Sequence, residues 1–125
     1  MTSKDGRATS ADAAAADLLR KRIEQRLPGV TTRPMFGYQC YLVQGKFFAG
    51  FGKRRGGEQT IIIRLPKDLQ SRAVAAGLRP FRHGARAGWM EMDCKSTKGD
   101  DAFVWIRKGY DYAASLVRGD NGRRG

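Results

Sequence analysis

The stretch Arg33-Pro34-Met35-Phe36-Gly37, running into Tyr41-Leu42-Val43-Gln44-Gly45-Lys46-Phe47-Phe48-Ala49-Gly50, decides the fold. Gln44-Gly45 interrupts an apolar run, and its glycine tolerates the positive φ that a tight hairpin turn needs. Two antiparallel strands are therefore expected, Tyr38 to Val43 and Lys46 to Gly52. In the first, Tyr38, Cys40 and Leu42 share one face and Gln39, Tyr41 and Val43 the other, because strand side chains alternate. A third strand is expected from Thr60 to Leu65. Its Ile61-Ile62-Ile63 core has no polar alternation, which is the pattern of a central strand covered on both faces.

The remaining elements are placed outward from these strands. Ser10 is the expected N-cap of a first helix reaching Leu27, with Asp12 in its first turn. Ala15, Leu19, Ile23 and Leu27 form its apolar stripe, and Pro28-Gly29 stops it. Pro66 to Ala76 reads as a second helix ended by Gly77, and Leu78 to Arg82 as a short strand. After a loop at His83 to Ala87, Gly88 to Cys94 alternates. Met90, Met92 and Cys94 are assigned to the core, leaving Trp89, Glu91 and Asp93 on the opposite face. Asp100 or Asp101 is expected to cap a last helix to about Val117, with Ala102, Phe103, Ile106, Tyr110, Ala113 and Val117 on its buried side. Gly109 within it is worth about 1 kcal/mol less than Ala, which close packing against the sheet would explain.

The expected order is α-β-β-β-α-β-β-α. This is an α+β fold, an antiparallel sheet with helices mainly on one face. A disordered leader over residues 1–10, one domain over 11–117 and a polar tail over 118–125 complete the reading.

Composition narrows the function classes. A chain of 125 residues suits one domain with a real core. The excess of 24 basic over 12 acidic residues gives +12, most of it inside the domain. Such a charge favours nucleic acid or acidic partners, or simply solubility. No run of about 18 apolar residues exists to span a membrane. The polar N-terminus lacks a signal peptide's apolar centre, so a cytoplasmic location is expected. Cys40 and Cys94 are expected as reduced, structural thiols. One histidine and no CxxC pair leave nothing that resembles a Cys/His zinc site, and no cofactor is expected.

His83 sits in a polar loop with no adjacent carboxylate to orient it, so a surface role is expected over catalysis. Glu91 and Asp93 would lie about 7 Å apart on one strand face and read as partners for nearby Arg or Lys. Gly50, Gly52, Gly56 and Gly57 match no phosphate-loop fingerprint. The best polyanion candidate is the connection Lys53-Arg54-Arg55, extended by Arg20 and Arg22 on the first helix, although charge runs of this kind are more often solvated loops. Tyr38, Tyr41, Phe47, Phe48, Phe51 and Phe81 are candidate stacking surfaces, or core residues.

From Leu27 to Leu116 the chain resembles the N-terminal domain of the TfoX/Sxy family. The resemblance rests on Met35-Phe36-Gly37, Ile63-Arg64-Leu65-Pro66, Ala76-Gly77-Leu78-Arg79-Pro80-Phe81 and the closing Trp105 to Leu116 segment. It implies an antiparallel sheet with helices in α-β3-α-β2-α order. It also implies a non-catalytic regulatory module that contacts nucleic acid or the transcription machinery. Full-length members of that family regulate competence and carry a second, C-terminal domain, so the resemblance here is to a stand-alone first domain. Leu27-Pro28-Gly29-Val30 and Gly88-Trp89 also resemble the YjbR family, less closely. The alternative reading is a protein-interaction module, with homodimerisation through an uncovered sheet face.

Overall fold

Alternating apolar residues sort the sheet into two faces, and helices cover only one of them. The computed structural model describes residues 3–35, 37–53, 59–94 and 99–124, with side chains described over 14–35, 37–53, 59–94 and 100–117. Its elements are helix α1 (Ser3–Arg26), strands β1 (Val30–Met35), β2 (Tyr38–Val43), β3 (Lys46–Lys53) and β4 (Gln59–Arg64), helix α2 (Lys67–Ala75), strands β5 (Arg79–Pro80) and β6 (Trp89–Asp93), and helix α3 (Gly99–Arg124). The strands form one six-stranded antiparallel sheet in the order β1-β2-β3-β4-β6-β5. The α+β class is as expected, with one strand more.

That extra strand is β1. Five of its residues, Thr31-Thr32-Arg33-Pro34-Met35, carry little hydrophobic signal, and Thr31 to Pro34 are exposed. An edge strand needs only one paired side, so Pro34 is tolerated there. Phe36, from the motif that follows Pro34, lies outside the described residues.

The β2–β3 turn forms where the sequence places it. Gln44 and Gly45 both adopt positive φ, +49° and +80°, as a two-residue hairpin turn of the I′ type requires. A shift of register follows in β3: Tyr41 pairs with Ala49 but Leu42 pairs with Phe47, leaving Phe48 as the extra residue. Such a bulge re-aims a side chain. Phe48 is fully buried and meets Tyr110 of α3 edge to face at 5.4 Å.

The register fixes the two faces. Tyr41, Ala49, Ile63 and Met90 lie in one cross-strand row, and Phe51, Ile61 and Met92 in the next. These residues form the main core with Leu19, Ile23 and Leu27 of α1, Ala73 of α2, and Ala102, Ile106 and Ala113 of α3. The opposite face carries Cys40, Gly50, Ile62 and Glu91 in one row and Gly52, Thr60 and Asp93 in the next. The assignment of Met90, Met92 and Cys94 to the helix side therefore holds. β4 is central as expected, with Ile61, Ile62 and Ile63 all buried.

Helix boundaries depart from the sequence reading. α1 starts at Ser3, so Ser10 lies inside the helix and not at its cap, and residues 3–10 continue the helix where a disordered leader was expected. The alanine-rich run Ala13-Ala14-Ala15-Ala16 favours helix and gives Ser10 no stop to mark. Likewise α3 begins at Gly99, so Asp100 and Asp101 occupy its first turn instead of the cap. There they still oppose the positive end of the helix dipole. α3 also runs on to Arg124, past the expected end at Val117 and through residues assigned to a polar tail.

Gly109 has the packing role expected of it. A Cβ there would sit 2.7 Å from Ile63 Cγ2 and 3.0 Å from the Phe48 carbonyl oxygen. The helix backbone thus rests directly on β3 and β4. Tyr110, its neighbour, donates a 2.7 Å hydrogen bond to the Pro28 carbonyl and ties α3 to the end of α1. Among the described residues, no helix is long and apolar enough to cross a membrane.

Candidate functional site

The face without helices carries an aromatic cleft. It is built where the loop Phe81–Gly88, between β5 and β6, leans over the sheet. That loop is fixed by its own backbone. Gly84 N–H donates to the Phe81 carbonyl, Ala87 N–H to Gly84, Gly88 N–H to Ala85, and Trp89 N–H to Gly84, all at 3.0 Å. Phe81 N–H donates to the Trp89 carbonyl at 2.9 Å and closes the hairpin. The Arg64 Nε–H then donates to the Ala87 carbonyl at 2.9 Å, which anchors the loop to β4.

Met35, Tyr38, Ile62, Phe81, His83, Gly84, Ala87 and Trp89 line the cleft, whose volume is about 140 Å³. Tyr38 meets Phe81 edge to face at 5.6 Å, and Phe81 meets His83 in the same way at 5.6 Å. Two glycines seat the walls. A Cβ on Gly52 would fall 2.7 Å from the Tyr38 ring, and one on Gly84 would fall 2.7 Å from Trp89 Cδ1. The floor is Ile62, with Cys40 beside it under Gly50. Phe81 and Ile62 are buried, Tyr38, Trp89 and Met35 half-buried, and His83 and Ala87 exposed at the lip.

Charge around the cleft is uneven. Glu91 and Asp93, on the same sheet face, are both held by Arg79, at 3.4 and 3.2 Å. This is the pairing expected of them. Arg82 and Arg86 are exposed on the cleft's loop, and neither has an ion-pair partner among the described residues. Arg33 is exposed on β1, on the sheet face of Met35 and Cys40.

The basic residues singled out from the sequence fall elsewhere. Lys53 is exposed at the end of β3, while Arg54 and Arg55 lie outside the described residues. Arg20 sits with its guanidinium 5.1 Å over the Phe51 ring and pairs with Asp17 at 3.3 Å. Arg22 lies 5.4 Å over Phe103 and pairs with Asp100 at 2.7 Å. Both arginines therefore serve the contacts of α1. Arg20 shares the helix-covered side with Lys53, since it stacks on Phe51 two residues earlier on β3.

The candidate stacking residues divide the same way. Tyr41, Phe48 and Phe51 are buried in the main core, and Tyr38 and Phe81 form cleft walls. Trp89 was missed as a wall because strand alternation only placed it opposite the methionines. The available signal was the pair of aromatics, Phe81 and Trp89, that brackets residues 82–88.

Titratable groups in the interior are kept neutral. Burial pushes the Cys40 thiol up to about 11. Tyr41 is pushed up to about 12, first by burial and then by the Glu24 carboxylate near its hydroxyl. Cys40 and Cys94 are both buried and lie on opposite faces of the sheet. No three His, Cys, Asp and Glu side chains converge among the described residues. In comparison with known proteins, the chain matches no family model and no curated protein.

Proposed function

We propose that the protein is a non-catalytic, TfoX-like regulatory module of the cytoplasm that contacts nucleic acid through the sheet face away from its helices. The cleft carries this reading. It combines aromatic walls, which suit base stacking, with exposed arginines on its loop and on the same sheet face. The net charge of +12 supplies the long-range attraction that any polyanion would feel. Helices on one face and aromatics on the other is also a workable architecture for reading nucleic acid on a sheet. The motif resemblance adds a regulatory context, in which the transcription machinery is the wider partner. The basic connection beginning at Lys53 remains a second contact in this reading.

The test is binding of labelled single-stranded and duplex DNA across a salt series. Replacing Arg33, Arg82 and Arg86 with Ala should lower the log–log salt slope for single strands by about 2, from ~0.7 per phosphate contact. Replacing Lys67, Arg72 and Arg107, which are exposed on or near the helices, should change it less. An equal fall from both sets would mean diffuse attraction without a site. No binding at about 50 mM salt would remove the nucleic-acid reading. A stable dimer of twice the monomer mass, blocked by substitutions in the cleft, would then put the protein-interaction module in its place.

A further inference from the structure

We infer that the open-face cleft takes one unstacked base of a single-stranded nucleic acid, an inference that rests on the nucleic-acid reading above. Size gives the first argument. An apolar cavity of about 150 Å³ holds one benzene ring. The cleft, at about 140 Å³, is therefore the size of a single ring and too small for a drug-sized ligand, which needs ~300 Å³ or more.

Shape and chemistry give the second. Tyr38, Phe81 and Trp89 present π-faces and edges over an Ile62 floor, so a flat apolar ring is the matching occupant. Exposed His83 at the lip offers ring nitrogens to polar edges of a base. The walls are set in advance by the Gly52 and Gly84 seats and by the bonded loop, so little ordering is left for binding to do.

Charge selects among flat or apolar occupants. Aromatic walls alone would also suit an organic cation. A protein of +12 repels one, and Glu91 and Asp93 on this face are already engaged by Arg79. An anion carrying a ring is favoured instead, because Arg82 and Arg86 are exposed on the cleft's loop and Arg33 is exposed on the same sheet face of β1. In duplex DNA a base could enter only after leaving its stack and its partner, at a cost of a few kcal/mol. Single strands escape that cost.

The experiment compares a short single-stranded oligonucleotide with one of the same length whose bases are replaced by abasic sites. Both keep every phosphate. The intact strand should bind roughly 5- to 100-fold more tightly, the range that stacking of one base supplies. Ala87→Leu, which adds bulk to a lining residue without adding an aromatic face, should shrink that difference. Trp89 emission, read in a Trp105→Phe background, should respond to the intact strand and not to the abasic one. Equal binding of the two strands, or an undiminished difference in Ala87→Leu, would overturn the base-insertion inference while the nucleic-acid reading stood. Failure of every strand to bind at about 50 mM salt would remove both.

Discussion

The two faces of the sheet are built from the same strands and do opposite things. The helix-covered face packs Tyr41, Phe48, Phe51, Ile61, Ile63, Met90 and Met92 against α1 and α3, with almost no solvent contact. The other face, where Cys40, Thr60 and Ile62 are also buried, is closed by its own aromatics and one loop, which leave a ring-sized cleft. Glycines show the contrast most directly. Gly109 lets a helix backbone reach the sheet, whereas Gly52 and Gly84 make room for half-buried rings. One face is packed by helices, and the other by its own side chains and the Phe81–Gly88 loop.

The comparison breaks first at Met92. It is 1% exposed in the helix-covered core, and Met92→Lys buries an uncompensated charge there. A loss of about 3–5 kcal/mol is expected, read by chemical denaturation. An unchanged midpoint would mean that this face is not the core.

Gly109→Ala should come next. In an exposed helix the change would gain about 1 kcal/mol. Here the new Cβ meets Ile63 and the Phe48 carbonyl, so a loss of about 1–3 kcal/mol is expected. A stabilised variant would show that α3 does not rest on the strands as described.

Gly52→Ala, the matching change on the open face, should lose less, about 1 kcal/mol. The atoms it meets belong to a half-buried side chain, Tyr38, and not to backbone, so a small shift of the ring in place relieves the contact. A loss equal to that of Gly109→Ala would erase the distinction between the faces.

Much of the fold was legible because its signals are local. The Gln44-Gly45 turn, the Ile61-Ile62-Ile63 run and the Met90/Met92 alternation each state their answer within a few residues. β1 was not legible, because an exposed edge strand needs no apolar pattern and Pro34 argued against it. The candidate site was less legible still. Charge runs are visible in sequence, but the partners that engage Arg20 and Arg22 are not, since Phe51, Phe103 and Asp100 are remote in the chain. The cleft likewise joins Tyr38 to Phe81 and Trp89 across the sheet, and only tertiary structure brings them together.

Alkaline pH probes the interior more gently. Cys40 titrates near 11 in the fold against 9.0 for a free thiol, so the folded state holds its proton more tightly. That contribution is complete below about 9 and is lost as pH rises through about 11. Thermal stability should therefore decline across this window, and less so in Cys40→Ala. An identical decline in that variant would assign the effect to other groups, Tyr41 first among them.

The smallest effect is expected at the surface. The Arg22–Asp100 pair is exposed on the Asp side, so Asp100→Asn should change stability by less than about 1 kcal/mol despite its 2.7 Å geometry.

The central claim, that the uncovered face is the working surface, is tested most directly by amide chemical-shift mapping with a short single-stranded oligonucleotide. The account predicts that the largest shifts cluster at Met35 and Tyr38 and along Phe81 to Trp89. Shifts confined to α1, α3 and the Lys53 end of β3, with the cleft residues unmoved, would contradict it.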